Sequence, residues 1–127
     1  MKQGRVVTTR GMRLKGATLM GDHVDKYMQG WMTDDLDMLQ DACAEDFVYD
    51  DPQDGRITKA RFPEYYETHP GDGDFDDIVV KEADGVETGT AWWHWTPEGS
   101  ATEQTGCIWL KADADGVHSA KLAYFNR

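Results

Sequence analysis

Cysteine is scarce in this chain, bases are outnumbered, and no apolar stretch is long. The 127 residues hold two cysteines, Cys43 and Cys107, far apart and without a C-x-x-C pair. Neither a disulfide scaffold nor a structural zinc site is expected from that count. No apolar run approaches the roughly 20 residues that a membrane helix needs, so no membrane partner is expected. Thirteen Lys and Arg stand against twenty-four Asp and Glu, for a net charge of −11. A body so acidic repels phosphate backbones and anionic lipid, which argues against nucleic-acid binding. Histidines and acids do not fall at metal-ligand spacing on one element, so neither a metal nor a cofactor is expected.

The few bases are unevenly placed. Five of them (Lys2, Arg5, Arg10, Arg13, Lys15) fall in residues 1–20, which contain no acid. This start lacks the apolar middle of a signal peptide. It reads as a basic N-terminal extension over 1–20, ahead of one domain over 21–127. A reduced, cytoplasmic setting is the expectation, and the length suits a single packed core.

What is present is a clear change of period along the chain. Val24, Tyr27, Met28 and Trp31 recur at i, i+3, i+4 and i+7, an apolar helical stripe with Asp22 as N-cap. "TDD" breaks that run, and Asp34 or Asp35 caps a second helix over about 35–44 with Leu36, Leu39 and Cys43 inward. "DFVYD" then alternates as a strand: Phe47, Tyr49 and Asp51 face one way, Val48 and Asp50 the other, until Pro52 stops it. A third helical stretch is expected over 58–68, with Pro63 in its first turn. Runs near 75–82, 87–96, 101–111 and 117–125, separated by "ADG", "PEG" and "ADADG", predict an antiparallel meander. Helices first and hairpins after is the α+β order: three helices on one face of a strongly curved antiparallel sheet, enclosing a cone-shaped cavity.

The stretch "YMQGWMTDDLDMLQDACAEDFVYDDPQDG" resembles the opening of the NTF2-like superfamily, in particular its SnoaL-like and ketosteroid-isomerase-like branches. The shared pattern is an aromatic helix, a "D-L-D" break, a second helix, and a strand closing on "D-P"; the resemblance covers about residues 22–125. It implies the cone fold, but this superfamily holds isomerases, cyclases, dehydratases, hydrolases and non-catalytic modules. The ketosteroid-isomerase branch implies a strand-end aspartate as general base, at Asp51 here, and a first-helix tyrosine as oxyanion donor, at Tyr27. It also implies a protonated acid on a late strand. Counting back from "DGVHSAKLAYF" puts Cys107 there, or Gly106 if the turn holds one extra residue. The acid is therefore missing, and losing one oxyanion donor typically costs about 2.7–4 kcal/mol of transition-state stabilisation.

Asp51 shares its strand side with Phe47 and Tyr49, the side expected to be buried, whereas Asp50 points to solvent. A carboxylate at an apolar wall has its charged form disfavoured, which suits a base. Trp31, Tyr49, Phe47, Tyr65, Tyr66, Trp93, Trp95 and Cys107 are the expected pocket residues, the two indoles forming a flat wall for a planar or alicyclic ligand. His23 lies one turn before Tyr27. Glu103 is either a second acid in the cone or, if Gly106, Ile108 and Leu110 face inward, solvated; the second placement is favoured. His69 and His118 receive no role. Trp92 and His94 fall on the outer sheet face, where an apolar patch predicts a homodimer.

Two functions compete at this level. One is a domain that binds a small apolar molecule and moves a proton on it, with Asp51 as base and Tyr27 steadying the oxyanion. The other is a non-catalytic ligand-binding or dimerisation module of the same fold. A further variant borrows His94 or Glu103, for instance as a dehydratase with a histidine base.

Overall fold

The computed structural model describes residues 22–125. The basic extension expected over 1–20 lies outside them, as does the Asp22 side chain expected to cap the first helix. Helix α1, Asp22–Met32, buries Val24, Tyr27 and Met28 completely, as the 3.6-residue period requires. Its N-terminus also receives a cap from the sheet: the fully buried Glu87 carboxylate accepts the Val24 N–H at 3.2 Å. A carboxylate there meets both the free amides and the positive end of the helix dipole. Helix α2, Leu36–Ala42, starts at Asp35, whose side chain accepts the Met38 N–H at 3.1 Å. It stops two residues before the expected end because Cys43 is already extended.

Strand β1, Cys43–Asp51, therefore starts earlier than "DFVYD". It pairs antiparallel with β2, Gly55–Thr58, a short strand the sequence pattern did not reveal. Thr58 pairs with Val48, and this pairing shortens the third helix to α3, Phe62–Glu67, with Pro63 in its first turn as expected. Strands β3 (Gly71–Ala83), β4 (Val86–Pro97), β5 (Gln104–Asp113) and β6 (Gly116–Tyr124) form the expected antiparallel meander.

The sheet order is β2-β1-β6-β5-β4-β3, and β1 runs parallel to β6, so the sheet is mixed rather than wholly antiparallel. Hairpins fix the directions of β3 to β6, and β1 occupies the free edge of β6 in the same direction. A register shift between Asp76 and Val79, with Asp77 in the left-handed region (φ 53°), marks a bulge in β3. The inner face of the sheet carries Phe75, Trp93, Ile108, Leu110 and Ala120 against the helices. Among the described residues, no helix is long and apolar enough to cross a membrane.

Candidate functional site: an aromatic cavity with a phenol-bound carboxylate

A cavity of about 360 Å³ opens between the sheet and the helices. Alternation along β4 turns Trp93 and Trp95 inward, and both line it as expected, together with Trp31, Tyr49 and Tyr65. The β3 backbone has to be bare for this. A Cβ on Gly71 would lie 2.5 Å from Cζ2 of Trp95, and one on Gly73 3.3 Å from its Cε3. Trp31 meets Trp95 edge to face at 5.8 Å between centroids and Tyr49 at 6.2 Å, so the wall is a continuous aromatic surface.

Asp51 sits behind this wall. It is 1% exposed and does not line the cavity. Its Oδ1 accepts the N–H groups of Gln53 at 2.8 Å and Asp54 at 3.3 Å, an Asx turn with Pro52 at its centre. Its Oδ2 accepts two phenols, Tyr124 at 2.8 Å and Tyr65 at 3.3 Å. Both phenols line the cavity, so the carboxylate reaches it through their hydroxyls. Burial pushes the Tyr65 phenol above its ordinary range, and the neighbouring carboxylates of Asp51 and Asp54 add to the rise. Burial does the same to Tyr49.

Tyr27 is not brought to this site. It is fully buried against Phe47, its hydroxyl has no hydrogen-bond partner among the described residues, and it does not line the cavity. Burial, then Cys43, push its phenol well above the ordinary value, with Trp31 pulling the other way. Phe47 likewise belongs to the core, between Tyr27 and Phe62, rather than to the pocket. Tyr66 donates to Asp34 and lines a smaller adjoining cavity. His23 meets the Ala114 carbonyl, 3.2 Å away, and not Tyr27.

Strand β5 settles the late-strand position. Gly106, Ile108, Leu110 and Ala112 are buried, so Cys107 lies on the outer face and is not a pocket residue. Glu103 is exposed, as the favoured placement had it. The inward residue is Gly106, and it has no room for a side chain: a Cβ would lie 1.8 Å from the Ala123 carbonyl oxygen and 2.7 Å from Cζ2 of Trp93. The Trp93 indole fills the space an acid would need, and its N–H donates to the Cys107 carbonyl at 3.1 Å. His94 touches the cavity edge, but its imidazole faces an outer cluster of Asp76, Glu103 and Thr105.

Sequence reasoning missed Tyr124 and His69. Tyr124 was legible in principle, because Ala120, Leu122 and Tyr124 alternate on one side of β6. His69 stacks on Tyr65 at 4.2 Å, and its Nδ1 lies 2.8 Å from the Tyr65 carbonyl oxygen. A carbonyl only accepts, so Nδ1 carries a proton; Nε2 lies 3.9 Å from Oδ2 of Asp54 at the cavity mouth. No local pattern announces the placement of His69.

A model of the SnoaL-like domain family matches residues 24–118. The chain belongs to the SnoaL-like family. Solved structures agree in fold. A candidate polyketide cyclase from Xanthomonas campestris pv. campestris is 21% identical, with 83% of this chain and 88% of that chain covered and a TM-score of 0.62. A candidate ketosteroid isomerase from Kribbella flavida is 17% identical, with 84% and 77% covered and a TM-score of 0.65. A cystatin-like protein of unknown function from Methylobium petroleophilum reaches a TM-score of 0.70 at 12% identity, with 84% and 75% covered. No curated protein matches the chain. At these identities the neighbours establish the NTF2-like fold of this SnoaL-like domain and leave its chemistry to the site itself.

Proposed function

We propose that this SnoaL-like domain binds a small, largely apolar carbonyl compound in its aromatic cavity and moves a proton at the carbon beside the carbonyl. The observation that carries the reading is the Tyr65–Asp51–Tyr124 array, two cavity-wall phenols donating to one buried carboxylate oxygen. Asp51 is the base, and it acts through Tyr124. The phenol oxygen takes the substrate proton as its own proton passes to Oδ2 of Asp51, leaving an enolate and a neutral acid with no free tyrosinate. Tyr65 holds the longer bond at 3.3 Å and is the donor better placed to turn toward the enolate oxygen. The oxyanion role expected of Tyr27 thus passes to Tyr65.

A second reading has support of its own. Asp51 has four donors and almost no exposure, as a purely structural carboxylate would. The cavity would then bind without reacting. Tetralone in deuterated buffer separates the two. Tryptophan fluorescence reports binding, and proton NMR reports exchange of the protons beside the carbonyl. Exchange faster than buffer, lost in Asp51→Asn and Tyr124→Phe with binding retained, is the expected result. Binding without catalysed exchange would leave the non-catalytic module.

A further inference from the structure

The charge at the cavity mouth selects a ligand class that proton transfer alone does not specify. Among the described residues lining the cavity there is no Lys or Arg, while Asp54, Asp74 and Glu98 all line it. The adjoining cavity of about 170 Å³ shares His69, Pro70 and Trp95 with it and adds Asp34 and Glu67, again without Lys or Arg. Trp95 lies where the two cavities meet. Indole faces are the strongest aromatic partners for a cation, and carboxylates around the same point add to that field. The chain's charge of −11 works in the same direction at long range.

We propose that the cavity selects a cationic ligand, an aromatic or alicyclic amine, which for the proposed reaction is one that also carries the carbonyl. Its ring system fills the indole-lined interior, and its ammonium rests by Trp95, where the two cavities meet, in the field of the carboxylates that line them. At the mouth the ammonium keeps part of its hydration, so the desolvation that penalises a buried charge is small. An anion of the same shape meets acids on both sides and no Lys or Arg. His69 is held beside Asp54 and, when protonated, would be spent on that carboxylate. The inference rests on the cavity being a ligand site and not on the proton-transfer step.

Calorimetry with three probes of one shape tests it: naphthylmethylamine, naphthalenemethanol and naphthoate, at about pH 8, above the ordinary histidine range. The amine should bind at least about tenfold more tightly than the alcohol, and naphthoate at least about tenfold more weakly. The double variant Asp54→Asn, Glu98→Gln, checked for intact fold by circular dichroism, should narrow the amine's advantage to about threefold. Naphthoate binding as well as the alcohol, or amine and alcohol binding equally, overturns the charge selection while leaving the cavity as a ligand site. No binding by any of the three removes the ligand site, and the inference with it.

Discussion

Asp50 and Asp51 are neighbours with the same chemistry and opposite surroundings. Asp50 lies on the outer side of β1 and pairs in register with Arg56, whereas Asp51 is sealed in with four donors. Asp51→Ala orphans two amides and two phenols. Unsatisfied buried groups cost about 1–3 kcal/mol each, so a loss of about 3 kcal/mol or more is expected in urea unfolding. Asp50→Asn should stay within about 0.5 kcal/mol of the parent in the same assay. If the two variants unfold alike, the network around Asp51 carries no stability. The inward turn of Asp51 was legible because strand alternation depends only on near neighbours. Its closure by Tyr124 was not, since that partner comes from 73 positions along the chain. The same distance explains Tyr27: local spacing put it on the buried stripe of α1, and only packing against Phe47 decided that its hydroxyl misses the cavity.

Between elements, single positions set how closely strands can approach. On β5, Gly106 leaves space for Trp93 and for the β6 backbone at Ala123. Gly106→Ala would force strand movement, since backbone is the obstacle, and should cost about 3 kcal/mol or more by thermal unfolding. A variant as stable as the parent would show that β5 and β6 are looser there than the structure has them. At the other end of these strands, His118 on β6 bridges Asp113 at the end of β5 and Asp46 on β1. Hydrogen bonds that it donates to Asp113 and then to Asp46 raise its pKa. The folded state therefore holds that proton more tightly, so the bridge stabilises fully below about pH 6.5 and fades as pH rises through the raised value. Asp113 shifts downward, first through the Asp115 amide and then through His118, so its share is lost only as pH falls through that lowered value. Unfolding midpoints should fall from about pH 6 to about pH 9, and less so in His118→Gln. An equal fall in both proteins would remove His118 as the cause. The helices and the meander were legible at this scale because their periods are local. The strand β2 and the parallel β1–β6 pair were not, because both are chosen by which strand edges remain free.

For the molecule as a whole, the outer sheet face is the feature that a lone chain leaves unexplained. Val79, Trp92, Trp109 and Phe125 are each between 40% and 54% exposed. Strand register puts them on one surface: Val79, Thr90 and Trp109 form one row, Trp92, Cys107 and Ala123 the next, and Phe125 packs on Trp92 at 5.1 Å. The rows end in opposite charges, Asp76 beside Trp92 on the β3 side and Lys121 beside Trp109 on the β6 side. A second copy related by a two-fold axis along the strands would lay the β3 edge of one sheet over the β6 edge of the other. That arrangement lays each row over its own counterpart in the partner copy and buries the indoles of both copies together. We propose this homodimer as the state of the protein in solution. Burying each indole is worth about 2–3 kcal/mol, and a stable interface needs about 800 Å² from each partner, which a face of four strands can supply. Sedimentation at tens of micromolar, an order-of-magnitude choice, should show a dimer, and Trp92→Glu with Trp109→Glu should give a folded monomer. A parent protein that sediments strictly as a monomer at that concentration would leave the patch to some other partner and end the proposal.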